Sequence, residues 1–356
     1  MNGLNIVEDL VRAGRFGVAL TTLERLAVTP NIRLSVDVLH AELLERTGRH
    51  SQSKAIAERL LKNQNMTPGY RSSCESVLAL IEAEWDGEAG KALEHMQRAL
   101  LLAENSKDLR RICWCQLRLV ITLADISGHQ AVAPLLAAVR TNAIKLGDSI
   151  VSAALHIFLG EMEARRGLIR NAVRHTRLGQ NLLIHHANVW LDGRAENTLV
   201  AVAIMLSEYD EGILRGQKAL ALAEESGAAS LRSAILGNLG NLHYRVGDFS
   251  QAVEYFERAN AALPFTGERA NAYLESLARL CLAQGRPLSA SDYLDRIDDS
   301  IKTSSDELLH ANRYARLTRS ELFIHQHLFG AALDASEQTI ALAERVNDHL
   351  LDGLRA

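Results

Sequence analysis

Apolar residues recur along this chain three and four positions apart, which predicts amphipathic helices throughout. The pattern is plainest in Leu236–Pro264, LGNLGNLHYRVGDFSQAVEYFERANAALP. It reads as two helices joined by a tight turn at Gly247-Asp248. Gly240 is a small residue in the middle of the first helix, and Ala252 faces it from the second. Phe256 and Ala259 continue the packing stripe, and Pro264 closes the unit.

The turn recurs at Gly14, Gly48, Gly87, Gly128, Gly167, Ser207, Gly285 and His327. Five residues after each turn stands a small residue: Ala19, Ser53, Ala92, Ala133, Ala172, Gly212, Ala252, Ala290 and Ala332. Successive turns are 34 residues apart once and 38 to 42 apart thereafter. The predicted pairs are 2–13 with 16–27, 32–47 with 51–63, 68–86 with 89–105, 107–127 with 130–145 and 148–166 with 169–186. They continue with 188–207 and 210–226, 228–246 and 249–262, 267–284 and 287–298, and 304–327 and 330–345. Glycine at the turn permits the left-handed conformation that ends a helix. Asp248 and Ser51 are positioned to cap the helix that follows. Pro134 and Pro287 stand where a helix begins and a missing N–H costs little. The polar stretch Asp298–Asp306, DDSIKTSSD, reads as a longer loop between pairs. One pair cannot bury its apolar face alone, so each must stack on its neighbours.

Leu236, Leu239, Gly240, Gly247, Ala252, Phe256, Ala259 and Pro264 resemble the tetratricopeptide-repeat signature, with His243 in place of the usual first-helix tyrosine. The resemblance implies an all-α fold, a right-handed superhelical solenoid of about nine helix-turn-helix repeats. It implies that the first helix of each pair lines a concave groove. Candidate ligand-binding residues in that register are Trp85, Arg118, Glu161, Arg165, Arg194, Asn197, Asn238, Asn241, Tyr244, Arg245, Glu275 and Arg279. Glu42, Glu45, Asp125, Ile157 and Glu321 are further inward positions. Asparagines there can donate to and accept from an extended backbone, and arginines can pair carboxylates. The chaperone-tail clamp of this family is broken, because Gly237 and Ser276 replace its lysine and second asparagine.

Repeats near 40 residues are similar to those of bacterial regulators of the MalT/LuxR and Rap/PlcR types. The expected function is therefore a protein- or peptide-binding scaffold, the sensor or docking module of a transcriptional or signalling regulator. Two alternatives stay open. One is a small-molecule sensor with a pocket near Trp85, Arg118 or Tyr244. The other is an RNA-binding helical repeat. The whole of 1–356 reads as one solenoid domain, and NDHLLDGLRA begins a further helix, as expected of the N-terminal part of a longer protein. A homodimer is compatible with this reading. A solenoid held by nearest-neighbour interfaces is expected to change pitch cheaply.

Composition agrees with helix and adds exclusions. The chain has 47% hydrophobic residues, 5% aromatics and five prolines. Its net charge of -4 gives no global polyanion-binding footprint, so nucleic acid is an unfavoured partner. Cys74, Cys113, Cys115 and Cys281 are too scattered for a disulfide framework, which fits a reducing cytoplasm. The N-terminus lacks a basic signal-peptide region, and no apolar run approaches the roughly 20 residues that span a bilayer. Arg170, Arg174 and Arg177 share one helix face, read as a solvated outer surface. Cys113 and Cys115 point apart on their helix, and His185-His186 and His325/His327 lack i,i+4 spacing, so no metal site is expected. Phosphate-cradling loops and hydrolase motifs are absent from the sequence, so no cofactor or catalytic residue is assigned.

Overall fold

A computed structural model describes residues 3–86, 88–127, 129–263, 267–304 and 310–346. Gly87, Gly128, Pro264, Asp306, the Asp125 side chain and segment 347–356 lie outside the described residues. All regular structure among the described residues is helical. The helices pair as α1 (Gly3–Arg12) with α2 (Phe16–Glu24), α3 (Arg33–Arg46) with α4 (His50–Leu61), and α5 (Pro68–Ile81) with α6 (Ala89–Ser106). Next come α7 (Leu109–Ser127) with α8 (Ala133–Leu146), α9 (Ser149–Arg165) with α10 (Ile169–Leu183), and α11 (Val189–Leu206) with α12 (Tyr209–Ser226). The last are α13 (Ala229–Arg245) with α14 (Phe249–Ala262), α15 (Gly267–Ala283) with α16 (Pro287–Ser304), and α17 (His310–His325) with α18 (Phe329–Val346).

The turn rule holds even where glycine is missing. Gly14, Gly48, Gly167, Gly247 and Gly285 are left-handed, and so are Ser207 (φ 60°) and His327 (φ 58°). Asp248 caps α14, its carboxylate accepting from the Gln251 N–H at 3.2 Å. Ser51 does not cap α4, because that helix already starts at His50 and Arg49 holds the cap position.

The packing stripe follows the small residues. Ala172, Ala252 and Ala290 are fully buried, and Phe256 lies flat against Gly240. A Cβ on Gly240 would stand 2.6 Å from the Phe256 ring, so only glycine admits this approach. One expectation fails by a single residue. Ala133 is exposed, and Val132 takes its place in the core. A 3-10 turn at His129–Val132 precedes Pro134 and shifts the register. Asp298–Ser304 is also not loop. It continues α16, because Ile301 extends the buried stripe of Ala290, Leu294 and Ile297 by one turn. Ser304 therefore belongs to α16, and α17 is described from His310 on. Ile157 does not face the groove. It is buried against Gly179 of its own pair.

The first helices stack on one another, α3 on α5 and so on from α7 through α17, while the second helices ride outside. The ribbon also closes on itself. The N–H of Val189 donates to the Ala13 carbonyl at 2.9 Å, and the Asn188 amide donates to the Arg12 carbonyl at 2.8 Å. Arg15 pairs with Glu225, and Gly17 lies against Gly227. Farther on, Gly48 meets Ala229 and Leu263, and the π-helical turn Glu82–Asp86 meets α15. Pair one thus touches pair six, pair two touches pair seven, and pair three touches pair eight.

Two outcomes test this packing. Phe256→Ala should cost about 3–5 kcal/mol in urea melts, the usual loss for a buried ring in a core that cannot collapse. A loss under about 1 kcal/mol would contradict the packing register. Gly17→Ala should be silent, since a Cβ there stands 3.4 Å from Gly227. Gly17→Leu, though a better helix former, should push the turns apart and raise the radius of gyration in X-ray scattering.

Candidate functional site

The inner wall divides into a packed part and a polar part. In the packed part, Trp190 of α11 is only 5% exposed. Phe16 meets it at 5.8 Å, Phe158 at 6.1 Å and Trp114 at 6.3 Å between ring centroids. Two guanidinium groups cover the rings, Arg46 at 4.7 Å and Arg194 at 5.2 Å from Trp190. Each such cation–π contact contributes roughly 0.5–2 kcal/mol. Arg194 also forms a two-pronged pair with Glu161, its Nε donating at 2.9 Å.

The polar part runs along α11, α13, α15 and α17. Its bonds join one first helix to the next, apart from an ion pair within α15. The Asn238 amide donates to the Asn197 carbonyl oxygen at 2.9 Å. Arg279 donates to Asn241 at 2.8 Å and lies over the Tyr244 ring at 5.2 Å. Glu275 holds Arg279 at 2.6 Å and accepts from Thr318 at 2.7 Å. Burial works against the Arg279 charge, and the Glu275 carboxylate outweighs it, holding the group above its ordinary value. Asn271 donates to Asn312 at 2.8 Å.

The candidate residues therefore fall into sets. Asn197, Asn238, Asn241, Tyr244, Glu275 and Arg279 join in the ladder, with Arg245 exposed beside it. Glu161 and Arg194 belong to the packed part. Trp85 stands apart, stacked on buried His50 at 5.1 Å. Arg118 is half-buried on α7, and Arg165 is exposed at the end of α9. Sequence reasoning missed Asn271, Asn312 and Thr318, all buried. The available signal was asparagine and threonine inside helices, where both are poor formers and need a compensating partner. It also missed Trp190, because closure between distant pairs leaves no local pattern.

A family model described as tetratricopeptide repeat matches residues 192–263, the stretch that carries the ladder from α11 to α13. Residues 192–263 thus carry tetratricopeptide repeats. Several solved structures share its course. A Rap protein complexed with competence and sporulation factor is 13% identical, with a TM-score of 0.65 over 98% of both chains. The APC/C hetero-tetramer Cut9-Hcn1 is 17% identical, with a TM-score of 0.59 over 89% of this chain and 55% of that one. A human IFIT1 dimer with PPP-AAAA is 13% identical, with a TM-score of 0.51 over 95% of this chain and 82% of that one. At these identities the likeness is one of fold. No curated protein sequence matches the chain. Among the described residues, no helix is long and apolar enough to cross a membrane.

His310 of α17 should make stability depend on pH. Burial, then the nearby Arg165 and Arg313 guanidinium groups, push its imidazole down to about 3. The unfolded chain protonates it near the ordinary value of 6.5. The folded pKa is depressed, so its contribution is complete above about pH 6.5 and drains away as pH falls toward 3. His310→Gln should remove roughly 1–2 kcal/mol of the stability loss between about pH 7 and 5. Identical pH profiles for variant and wild type in thermal melts would contradict this assignment.

Proposed function

We propose that the chain is a non-catalytic regulatory scaffold, one repeat domain that holds a protein segment or peptide extended along the wall between α11 and α15. The observation that carries this reading is the amide pair Asn197–Asn238, continued by Asn241 and Arg279. An asparagine side chain offers two N–H donors and a carbonyl with two lone pairs. The bond between Asn238 and Asn197 uses one N–H and one lone pair. Both side chains are half-exposed, so the remaining groups can serve a ligand. An extended backbone presents donors and acceptors about every 3.3 Å and suits a row of such amides. Tyr244 and Arg245 supply an aromatic surface and a cation at the end of the row. The Rap coil that shares this fold is itself a complex with competence and sporulation factor, which supports a ligand-holding role for the shape.

The wall is less suited to RNA. Arg194 and Arg279 are already matched by Glu161 and Glu275, so positive charge does not accumulate for a phosphate backbone. A regulator of the Rap type is the coarse class that this reading favours.

Thermal-shift screening of a peptide library beside a metabolite library tests the proposal. Peptides should raise the melting temperature. Asn238→Ala and Asn241→Ala should each weaken a peptide hit by about 5- to 30-fold, the worth of one or two hydrogen bonds. Their own melts should stay within about 1 kcal/mol of wild type, since neither asparagine is fully buried. Hits confined to metabolites, or peptide affinity indifferent to both variants, would overturn it.

A further inference from the structure

The outer helices of this coil are charged in a consistent way, with one exception. On α6, Lys91 pairs with Glu88 and Arg98 with Glu75 and Glu94. On α12, Arg215 pairs with Glu211 and Glu196, and on α14, Arg258 pairs with Glu254. Helices α8 and α10 contain no aspartate or glutamate at all, in a chain whose net charge is -4. They carry Arg140, Lys145, Arg170, Arg174 and Arg177. Among the described residues, none of these five has a carboxylate within ion-pair distance, and all five are exposed.

The two helices present one surface. Both pack on α9, and Arg140 of α8 and Arg174 of α10 act electrostatically on the same pair of stacked imidazoles, His156 and His175, whose Nδ1 atoms are 3.1 Å apart. Apolar side chains stand among the cations. One turn beyond Arg140 is Ile144, 81% exposed, and one turn beyond Arg174 is Leu178, 42% exposed. Ile184, which caps α10, is 69% exposed. Outer helices α6 and α12 also expose aliphatics, Leu101 and Leu214, but among ion-paired charges; on α8 and α10 they stand among cations without a carboxylate partner, and it is this combination that marks the face.

We propose that the outer face of α8 and α10 docks an acidic amphipathic segment of a partner protein, whose carboxylates meet Arg140 and Arg174 and whose apolar side chains cover Ile144 and Leu178. Charge complementarity selects an acidic partner. The interleaved aliphatics select a protein over a phosphate backbone. Single-stranded nucleic acid would call for stacking rings, and neither helix has a Phe, Tyr or Trp. An interfacial membrane helix would likewise carry aromatic or leucine-rich insertion along its length, and these helices bury that side in the coil.

The test is fluorescence anisotropy with a labelled acidic peptide of about 20 residues, leucine on one helical face and glutamate elsewhere, at about 50 mM salt. The intact chain should bind it. Arg140→Glu/Arg174→Glu should weaken binding by about tenfold or more, as expected for reversed charges at an electrostatic interface. Ile144→Ser/Leu178→Ser should weaken it about threefold or more, the loss of exposed apolar contacts. Asn238→Ala, on the inner wall, should leave it unchanged, which separates this surface from the groove. Circular dichroism melts check that the variants are folded. Equal affinity in both double variants would overturn the proposal, as would absence of peptide binding. So would single-stranded DNA or phosphatidylserine vesicles binding in a way that Arg140→Glu/Arg174→Glu abolishes and Ile144→Ser/Leu178→Ser leaves intact.

Discussion

The coil depends on backbones that approach one another with almost nothing between them. Within a pair, Phe256 can lie flat only because Gly240 has no Cβ. Between turns, a Cβ on Gly227 would stand 2.7 Å from the Gly17 nitrogen. The same device therefore works at two scales. Inside each hairpin it sets how closely two helices pack, and so the angle added per repeat. Across turns it lets pair one rest on pair six. Interiors at crystalline density leave a methyl group no room on Gly240 or Gly227, while Gly17 can take a methyl but nothing larger.

Closure of the coil decides which part of the inner wall remains available. Where the turns touch, Phe16, Trp114, Phe158 and Trp190 fill the space, and Arg46 and Arg194 are consumed in covering them. A guanidinium stacked on indole and paired with Glu161 has few donors left. From α11 to α17 the side chains are amides, hydroxyls and one arginine-glutamate pair, and one to three hydrogen bonds join each first helix to the next. Such bonds contribute about 1 kcal/mol each, enough to order the wall and little enough for a ligand to exchange. The aromatic part thus fixes the shape, and the polar part can be rewritten.

Much of this was legible in the sequence because repeats write their rules many times. Left-handed turns were located at Ser207 and His327 without a glycine, since spacing and the small residue five positions on carried the information. The register failed at Ala133, where one residue of 3-10 turn moved the core position to Val132. It failed again at Asp298–Ser304, where polar composition concealed a helix that one buried side chain, Ile301, sustains. The ladder was half visible. Inward asparagines were recognised by helical register, but their partners depend on the offset between neighbouring helices, which a period of 38 to 42 residues leaves undetermined. Closure was not visible at all. Gly17 and Gly227 are 210 positions apart in sequence, and no local pattern pairs them.

Closure also changes the mechanics expected of a repeat array. In an open solenoid each repeat answers only to its neighbours, and pitch shifts by small independent steps. Here the bonds from Val189 to Ala13 and from Asn188 to Arg12, the Arg15–Glu225 pair and the Gly17–Gly227 contact span five repeats. They lie within one short stretch at the head of the chain, so a change of pitch must break them together. The cost then falls in one step and not in increments, as expected of a two-state element and not of a continuous spring. Because α11 carries both the closing residues Val189 and Trp190 and the ladder residue Asn197, a ligand at the proposed wall would act on the same helix as the contact between turns. A ligand that favours one setting of α11 shifts the balance between arrangements by its difference in affinity for the two, and by no more than that.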